Sequence, residues 1–220
     1  MNISWLGHSC FKFEEKINGY SVCVITDPYA ASIGLKIGRP KADIVTVSHA
    51  HPGHSAVEAV AGVEAEMPLL FDRPGEYESK SVFVQGIGAY HDSKDGAERG
   101  KTTMFKFDIG GITILHVGDL GVALSDKQIE KIGDIDILIV PVGGKTTLDA
   151  SGAAEVVKQV DPRIVIPMHY KIDGLVGDYA TVDAFKKEMG ATGEFLPKYK
   201  IAKKDLPVET TEVVLLSVEE

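Results

Sequence analysis

From Ala42 to His49 the chain reads "ADIVTVSH", and it continues with "AHPGH" to His54. The first part is a nearly continuous run of apolar and β-branched residues, which is typical of a strand covered on both faces. The second part turns at Pro52 and Gly53 and completes a set of three histidines. The stretch therefore predicts a buried strand that ends in a loop of imidazoles.

These three histidines suggest a metal clamp. His49 and His51 are two apart, so an extended chain points both side chains the same way. The turn at Pro52 and Gly53 brings His54 back toward the same point, and imidazole nitrogens are common ligands of transition metals. A surface loop whose histidines only form hydrogen bonds is the alternative.

The other candidate ligands lie at the ends of three further predicted strands. His91 follows "VQGIGAY", Asp119 ends "ITILHVGD" and His169 follows "RIVIPM". Functional groups in layered α/β proteins gather at strand ends, where loops are free of the hydrogen-bonded ladder. Six groups from four strand ends therefore predict one metal centre.

The order of the elements predicts a single layered domain, residues 1–220. The stretches "NISWLG", "CFKFEE" and "YSVCVITD" form a predicted meander, and "SVFVQGI", "TTMFKFDI" and "ITILHVGD" are further strands. Helices are predicted for "SAVEAVAGVEAE", "SDKQIEKI", "SGAAEVVKQV" and "TVDAFKKEM", and "TEVVLLSV" is the last strand. The second of these helices begins with a capping-box pair, Ser125 and Gln128. We expect an α/β fold in which two sheets pack face to face with helices outside.

Composition narrows the classes of partner. The formal net charge of −9 disfavours a nucleic-acid partner, because phosphate backbones are bound mainly by clustered Lys and Arg. No apolar run approaches the roughly 18 residues that cross a bilayer, and the start lacks a basic leader. We expect a cytoplasmic protein that does not enter a membrane. The only cysteines, Cys10 and Cys23, lie in a predicted hairpin whose turn is at Asn18 and Gly19. This turn places Cys23 opposite Glu14, so no disulfide is expected.

Several motifs, taken in order, resemble those of the metallo-β-lactamase-fold hydrolases. They are "TDP", "SHAHPGH", "GAYH", "HVGDLG", "PVGG" and "IPMHY". The chain is most similar to the cytosolic branch that includes ascorbate-phosphate lactonase-like proteins. The resemblance implies a four-layer αββα sandwich and metal-dependent hydrolysis. Zinc is the first choice of metal, and manganese, iron or nickel would also suit such ligands.

The resemblance also implies a role for each residue. His49, His51 and His91 would bind one metal, Asp119 would bridge, and His54 and His169 would hold a second metal. Asp27 matches an aspartate that orients the histidine loop without binding metal.

Gly53 departs from the family pattern HxHxDH, which has an aspartate ligand of the second metal at this place. Ala50 also stands where close relatives often have an acid. Because one carboxylate is missing, we expect one tightly bound metal and a second that binds weakly or not at all.

The expected reaction is attack by metal-bound hydroxide on a small ester, lactone or phosphoester, with anionic substrates among the candidates. His54 and Asp119 would act in the chemistry as well as in metal binding. His8 in "GHSC" could substitute for the missing acid, or could be a turn histidine bound to backbone. Glu76 in "RPGEYE" could reach the site or only order its loop. Association with a second copy of the chain stays open.

Two other interpretations of function remain. Gly53 is also compatible with a catalytically weak relative that binds a metal or ligand in a regulatory role. Ribonuclease activity is disfavoured by the acidic charge.

The stretch "GGKTT" lacks the glycine spacing of a phosphate-binding loop, so Lys145 and Thr146 either line the mouth of the site or form a plain turn. His116 is expected to pack in the core, facing away from Asp119.

Overall fold

The structure is a computed structural model that describes residues 1–64 and 67–219. In chain order the strands are β1 (Asn2–Gly7), β2 (Cys10–Ile17), β3 (Tyr20–Thr26), β4 (Lys41–Ala42), β5 (Ile44–Thr46), β6 (Ala61–Gly62), β7 (Leu69–Phe71), β8 (Gly75–Ser79), β9 (Val82–Tyr90), β10 (Lys101–Ile109), β11 (Ile112–His116), β12 (Ile137–Pro141), β13 (Ile164–Met168), β14 (Phe195–Leu196), β15 (Tyr199–Lys200), β16 (Glu212–Val213) and β17 (Leu215–Leu216). The α-helices are α1 (Asp126–Ile132), α2 (Ala150–Val160) and α3 (Asp183–Met189). Short 3-10 helices occupy Ala31–Ile33, Val57–Ala59 and Lys203–Asp205.

Two mixed sheets form the body of the molecule. The first sheet has the order β15-β1-β2-β3-β5-β7, and the second has the order β16-β13-β12-β11-β10-β9-β8. In each sheet an antiparallel meander continues into parallel strands, β5 and β7 in the first and β12, β13 and β16 in the second. Parallel strands end at the same edge of a sheet, so the loops that follow them are neighbours.

The sheets pack face to face through one apolar core. Phe13 of β2 meets Phe107 of β10 edge to face, with ring centroids 5.5 Å apart, and Trp5 of β1 packs on Tyr170 at 4.9 Å. Edge-to-face contact suits the charge distribution of aromatic rings. These contacts hold the two sheets together and confirm the predicted sandwich.

Helices cover the outer face of the second sheet. Helix α2 begins at Asp149, whose side chain accepts a hydrogen bond from the backbone N–H of Gly152 at 2.9 Å. It buries Val156 and Val157 against the sheet, and Phe185 of α3 joins the same core. Helix α1 has the expected capping box of Ser125 and Gln128. The three helices predicted in this half of the chain are confirmed.

The outer face of the first sheet differs from prediction, because no α-helix forms over "SAVEAVAGVEAE" within the part of it that the structure describes. Only Val57–Ala59 is helical, as a 3-10 turn, and Ala61–Gly62 then pairs in parallel with Lys41–Ala42. Ala65 and Glu66, at the end of the prediction, lie outside the described residues. Gly62 favours early termination, and Val60 packs in a small cluster with Val45 on the outside of the first sheet.

The β2–β3 hairpin and its cysteines agree with the prediction, whereas the last strand differs from it. Glu14 faces Cys23 across the β2–β3 hairpin as expected, and both cysteines are free thiols. The predicted last strand is divided at Val214 into β16, which joins the second sheet, and β17, which pairs with β14. Throughout residues 1–64 and 67–219, none of the helices combines the length and hydropathy needed to span a bilayer.

The packing of the two sheets against each other can be tested by replacing Phe107. Replacing this fully buried ring by alanine should lower the free energy of unfolding by about 3–5 kcal/mol, through lost apolar burial and the cavity left behind. Phe83→Ala is the matched control, because that ring is 40% exposed and should cost about 1 kcal/mol or less. Urea titration followed by tryptophan fluorescence measures both. Equal losses would contradict the described core.

Candidate metal centre

The candidate ligands come together where strands of both sheets end at one edge of the sandwich. From the first sheet come the loop after β5, which carries His49 to His54, and the turn after β1, which carries His8. From the second sheet come three single residues that follow β9, β11 and β13, namely His91, Asp119 and His169. The predicted gathering of groups at strand ends is therefore what the fold produces.

Asp119 lies at the centre of this cluster and its two carboxylate oxygens face different imidazoles. Oδ2 lies 3.1 Å from Nε2 of His54, 3.3 Å from Nε2 of His91 and 3.9 Å from Nε2 of His49. Oδ1 lies 3.4 Å from Nε2 of His169. A carboxylate placed in this way is suited to bridge two cations.

Asp27 fixes the orientation of the histidine loop from behind. Its Oδ2 lies 2.9 Å from Nδ1 of His54 and accepts a hydrogen bond from the Ser48 hydroxyl at 2.7 Å. Its Oδ1 accepts the backbone N–H of Ser48, also at 2.7 Å. Because Nδ1 of His54 is occupied in this way, Nε2 points to Asp119, as a metal-binding imidazole requires. The contacts support the orienting role expected of Asp27.

Three sets of ligand atoms are close enough to share a cation. Within each set the atoms lie within 4.8 Å of one another, and the sets are His49, His91 and Asp119; His49, His51 and His54; and His8, His54 and His169. The first two include the residues that the resemblance gives to one metal. The third contains the two histidines expected at the other metal and adds His8.

The charges of the cluster compensate one another in part without a cation. Burial alone would raise the pKa of Asp119, but His169 and His54 bring it well below its usual range, so the carboxylate is ionised. Burial opposes a charge on His54, yet Asp119 and Asp27 together raise its pKa. By contrast, burial followed by repulsion from His54 lowers the pKa of His49 to about 4. Neutral imidazoles are the form that binds metal, so a metal would displace the proton on His54. Burial opposes a charge on His91 as well, but Asp119 raises the pKa of that imidazole too.

Unsatisfied polar atoms show that the residues fit a metal. Oδ1 of Asp119 and Nε2 of His54 are buried and have no partner with hydrogen-bond geometry among the described residues. Buried polar atoms are normally paired, and atoms left unpaired point to an ion or a catalytic role. Nε2 of His54 lies 3.1 Å from Oδ2, the other oxygen of the same carboxylate, so both unpaired atoms belong to one group of potential ligands that a bound cation would satisfy.

Three residues of the cluster adopt a strained backbone. His8, Asp27 and His169 have φ of 53°, 41° and 55°, in the left-handed region that side chains other than glycine rarely adopt. The backbone N–H of His169 donates to the carbonyl of His8 at 3.1 Å, so two of these turns are tied to each other. Strain of this kind persists only where the surrounding structure enforces it.

The loop after His91 is organised by a buried carboxylate. Asp92 accepts four backbone hydrogen bonds, from the N–H groups of Lys94, Gly96, Glu98 and Arg99 at 2.8, 3.1, 3.1 and 2.7 Å. Burial works against ionisation, but these bonds lower the pKa of Asp92. The contacts fix the chain directly beside His91.

Three residues whose roles were uncertain from the sequence, Glu76, Lys145 and His116, lie outside the ligand sets. Glu76 is exposed on β8 opposite Gln85, six positions before His91 on β9. At about 3.3 Å per residue that separation is about 20 Å, beyond the reach of a glutamate side chain. Lys145 pairs with Asp178 at 2.6 Å, so its charge is already compensated. His116 is buried, with Nε2 2.9 Å from the carbonyl of Ser9, outside the three ligand sets.

Tyr179 is a neighbour of the site that the sequence did not indicate. Its ring meets His169 edge to face, with centroids 5.2 Å apart, and lies 6.1 Å from the ring of His8. It belongs to a loop without regular structure, "VGDYAT", which carries no recognisable motif. Backbone hydrogen bonds that Ala180 forms with Gly143 and Lys171 help to place it beside the histidines.

Comparison with known proteins agrees with this geometry. The model of the beta-lactamase superfamily domain matches residues 2–169. The chain belongs to this superfamily. A UPF0173 metal-dependent hydrolase of Thermoplasma volcanium is 30% identical over 236 residues, which cover 95% of this chain and 99% of the relative. The chain is thus also a member of the UPF0173 metal-dependent hydrolases.

Solved structures show the same fold. A protein of Thermotoga maritima, proposed to be a Zn-dependent hydrolase of the metallo-β-lactamase superfamily, is 33% identical, with a TM-score of 0.76 and coverage of 98% of this chain and 97% of that one. A metallo hydrolase of Ignicoccus hospitalis is 18% identical, with a TM-score of 0.65 over 100% of this chain and 96% of that one. The predicted metallo-β-lactamase fold is confirmed.

The orienting contact of Asp27 generates a first test of the centre. Asp27→Asn should weaken zinc binding about 10–100-fold, because an amide cannot accept from both Ser48 and His54 as the carboxylate does. Competition with a chromophoric chelator measures the affinity. Asp136→Asn is the control: it also removes a buried carboxylate, one that contacts Thr113 and Lys203 at the opposite end of β12. Unchanged affinity in Asp27→Asn would contradict the role.

The loop beside His91 provides a second test. Asp92→Ala should speed hydrogen exchange at the four amides that now donate to the carboxylate, because the alanine offers them no acceptor. Exchange measured by mass spectrometry on peptides from residues 92–100 reports the change. Asp95→Asn, on the exposed side of the same loop, should leave exchange at those amides as in the unchanged protein. Equal protection in both variants would rule out this function of Asp92.

Proposed function

We propose that the chain is a zinc-dependent hydrolase of a small ester, lactone or phosphoester. The observation that supports this most directly is the buried Asp119 carboxylate, which faces four imidazole nitrogens from the ends of three other strands. Nitrogen-rich ligand sets with one carboxylate suit zinc, and the names of the relatives support metal-dependent hydrolysis. A cytoplasmic location remains a prediction from the sequence.

Different residues of the chain would have different roles in such a reaction. A metal bound here would supply a Lewis acid and lower the pKa of water toward neutrality. His49, His51 and His91, together with Asp119, would hold it. Asp27 keeps the imidazole of His54 turned toward the reacting centre. Tyr179, half-buried beside His169, lies where a substrate would meet the cluster.

A small substrate is favoured over a nucleic acid. The net charge of −9 would repel a polyanion, and the one lysine expected at the mouth, Lys145, is paired with Asp178. An anionic group on a small molecule would therefore be attracted mainly by the metal itself. We therefore favour as substrate an ester or lactone that carries a single anionic group.

The alternative is a protein that binds metal or ligand but turns over little substrate, and Gly53 is the observation that favours it. The aspartate expected at this position would help hold the second metal and orient water. A protein that binds zinc stoichiometrically but hydrolyses none of a broad panel would support this alternative.

Hydrolysis can be tested with zinc-loaded protein on lactones, phosphodiesters and thioesters. His49→Ala should lower kcat/KM for any substrate that is turned over by at least about 100-fold, because removing a ligand shared by two sets lowers the stabilisation that the metal gives to the transition state by about 3 kcal/mol or more. Glu76→Gln is the control and should retain activity, since it lies far from His91. Turnover that survives in His49→Ala after chelation would contradict a metal-dependent reaction.

A further inference from the structure

Gly53 leaves space in the metal centre, and the imidazole of His8 fills it. A Cβ atom added to Gly53 would lie 2.8 Å from Nε2 of His8 and 3.2 Å from its Cδ2. Both distances are shorter than ordinary carbon contacts. An aspartate at position 53 would therefore require the imidazole of His8 to move from its present position. The chain has an imidazole beside the point from which the missing carboxylate would extend.

The backbone holds His8 in this position. The residue lies in the tight turn between β1 and β2 with φ of 53°. Its carbonyl accepts two hydrogen bonds, from the indole Nε1 of Trp5 at 3.0 Å and from the backbone N–H of His169 at 3.1 Å. Because the carbonyl is tied to the core and to the β13 strand end, the imidazole is directed into the cluster.

The imidazole of His8 is buried among other imidazoles and has an unpaired ring nitrogen, as expected of a metal ligand. Its ring centroid lies 4.2 Å from that of His169 and 4.9 Å from that of His54. The side chain is only 2% exposed, and its Nδ1 has no hydrogen-bond partner among the described residues. A turn histidine satisfied by backbone would have its ring nitrogens paired, so that alternative does not account for the geometry.

We infer that His8 is a metal ligand that takes the place of the missing aspartate, so that the second metal is held by His8, His54 and His169 with Asp119. One ligand atom from each of the three histidines already lies within 4.8 Å of the others. The inference rests on the proposed metal centre and changes the expectation of a weak second position. It also predicts metal preference: three imidazoles favour zinc, cobalt or nickel over manganese.

Metal stoichiometry tests the inference without reference to activity. Metal-free protein is dialysed to equilibrium against buffered zinc and analysed by elemental analysis. The unchanged protein should bind two equivalents. His8→Ala should bind one equivalent, or hold the second at least about 100-fold more weakly. Tyr179→Phe is the matched control, because it alters a ring next to His8 and His169 without removing a nitrogen, and it should bind two.

A double variant separates loss of a ligand from loss of folding. In His8→Ala/Gly53→Asp the carboxylate gains the space that the imidazole leaves, and the backbone of Gly53 is not in the left-handed region, so the second equivalent should return. Its return would show that the single variant is folded and lacks only a ligand. Gly53→Asp alone should displace His8 and alter the absorption of the cobalt-substituted protein.

Two results would overturn the inference: two equivalents bound with unchanged affinity in His8→Ala, or a single equivalent in the unchanged protein at saturating zinc. Neither depends on turnover. If the unchanged protein binds two metals, His8→Ala binds one, and no substrate of the panel is hydrolysed, the proposed hydrolase fails while the ligand role of His8 stands. If His49→Ala abolishes hydrolysis and His8→Ala still binds two metals, the reverse holds.

Discussion

A single buried carboxylate, Asp119, shares a small space with four imidazoles, and the centre depends on that arrangement. An ionised carboxylate taken out of water is costly unless it is paired. Here a positive charge on His54 compensates Asp119 when no metal is bound, and Asp27 helps to hold that charge. A cation of higher charge can replace the proton on His54 with little change in the positions of the surrounding side chains.

The two sheets make unequal contributions to this centre. The first sheet provides a continuous loop of histidines together with His8 and Asp27, whereas the second provides isolated residues at the ends of β9, β11 and β13. The centre therefore exists only when the sheets are packed correctly on each other. The aromatic contact between Phe13 and Phe107 thus contributes to the packing that forms the centre, although both rings lie in the core.

Much of this fold could be predicted from the sequence, because periodic apolar patterns and capping residues act locally. The register of the β2–β3 hairpin followed from the Asn18–Gly19 turn, and α1 from its capping box. The helix expected after Ser55 did not form, because Val57 and Val60 pack on the first sheet from an irregular segment. The local pattern of that segment carried no information about this long-range contact.

The candidate site was also predictable in part, because some of its residues are marked by local sequence patterns and others are placed by long-range contacts. Ligands that follow strands, such as His91 and Asp119, could be identified from strand ends. The place of His8 depends on hydrogen bonds to Trp5 and to His169, which is distant in the chain. Tyr179 depends on the course of an irregular loop. Neither relationship has a local signature in the sequence.

The close approach of position 53 to the imidazole of His8 also couples these two positions over evolutionary time. A side chain at position 53 would place its Cβ atom 2.8 Å from Nε2 of His8, so the ring has to move when the glycine is replaced. A lineage that gains the carboxylate first displaces the imidazole but keeps a ligand, whereas a lineage that loses His8 first has neither group. The first order of substitution is therefore the easier route between the two arrangements.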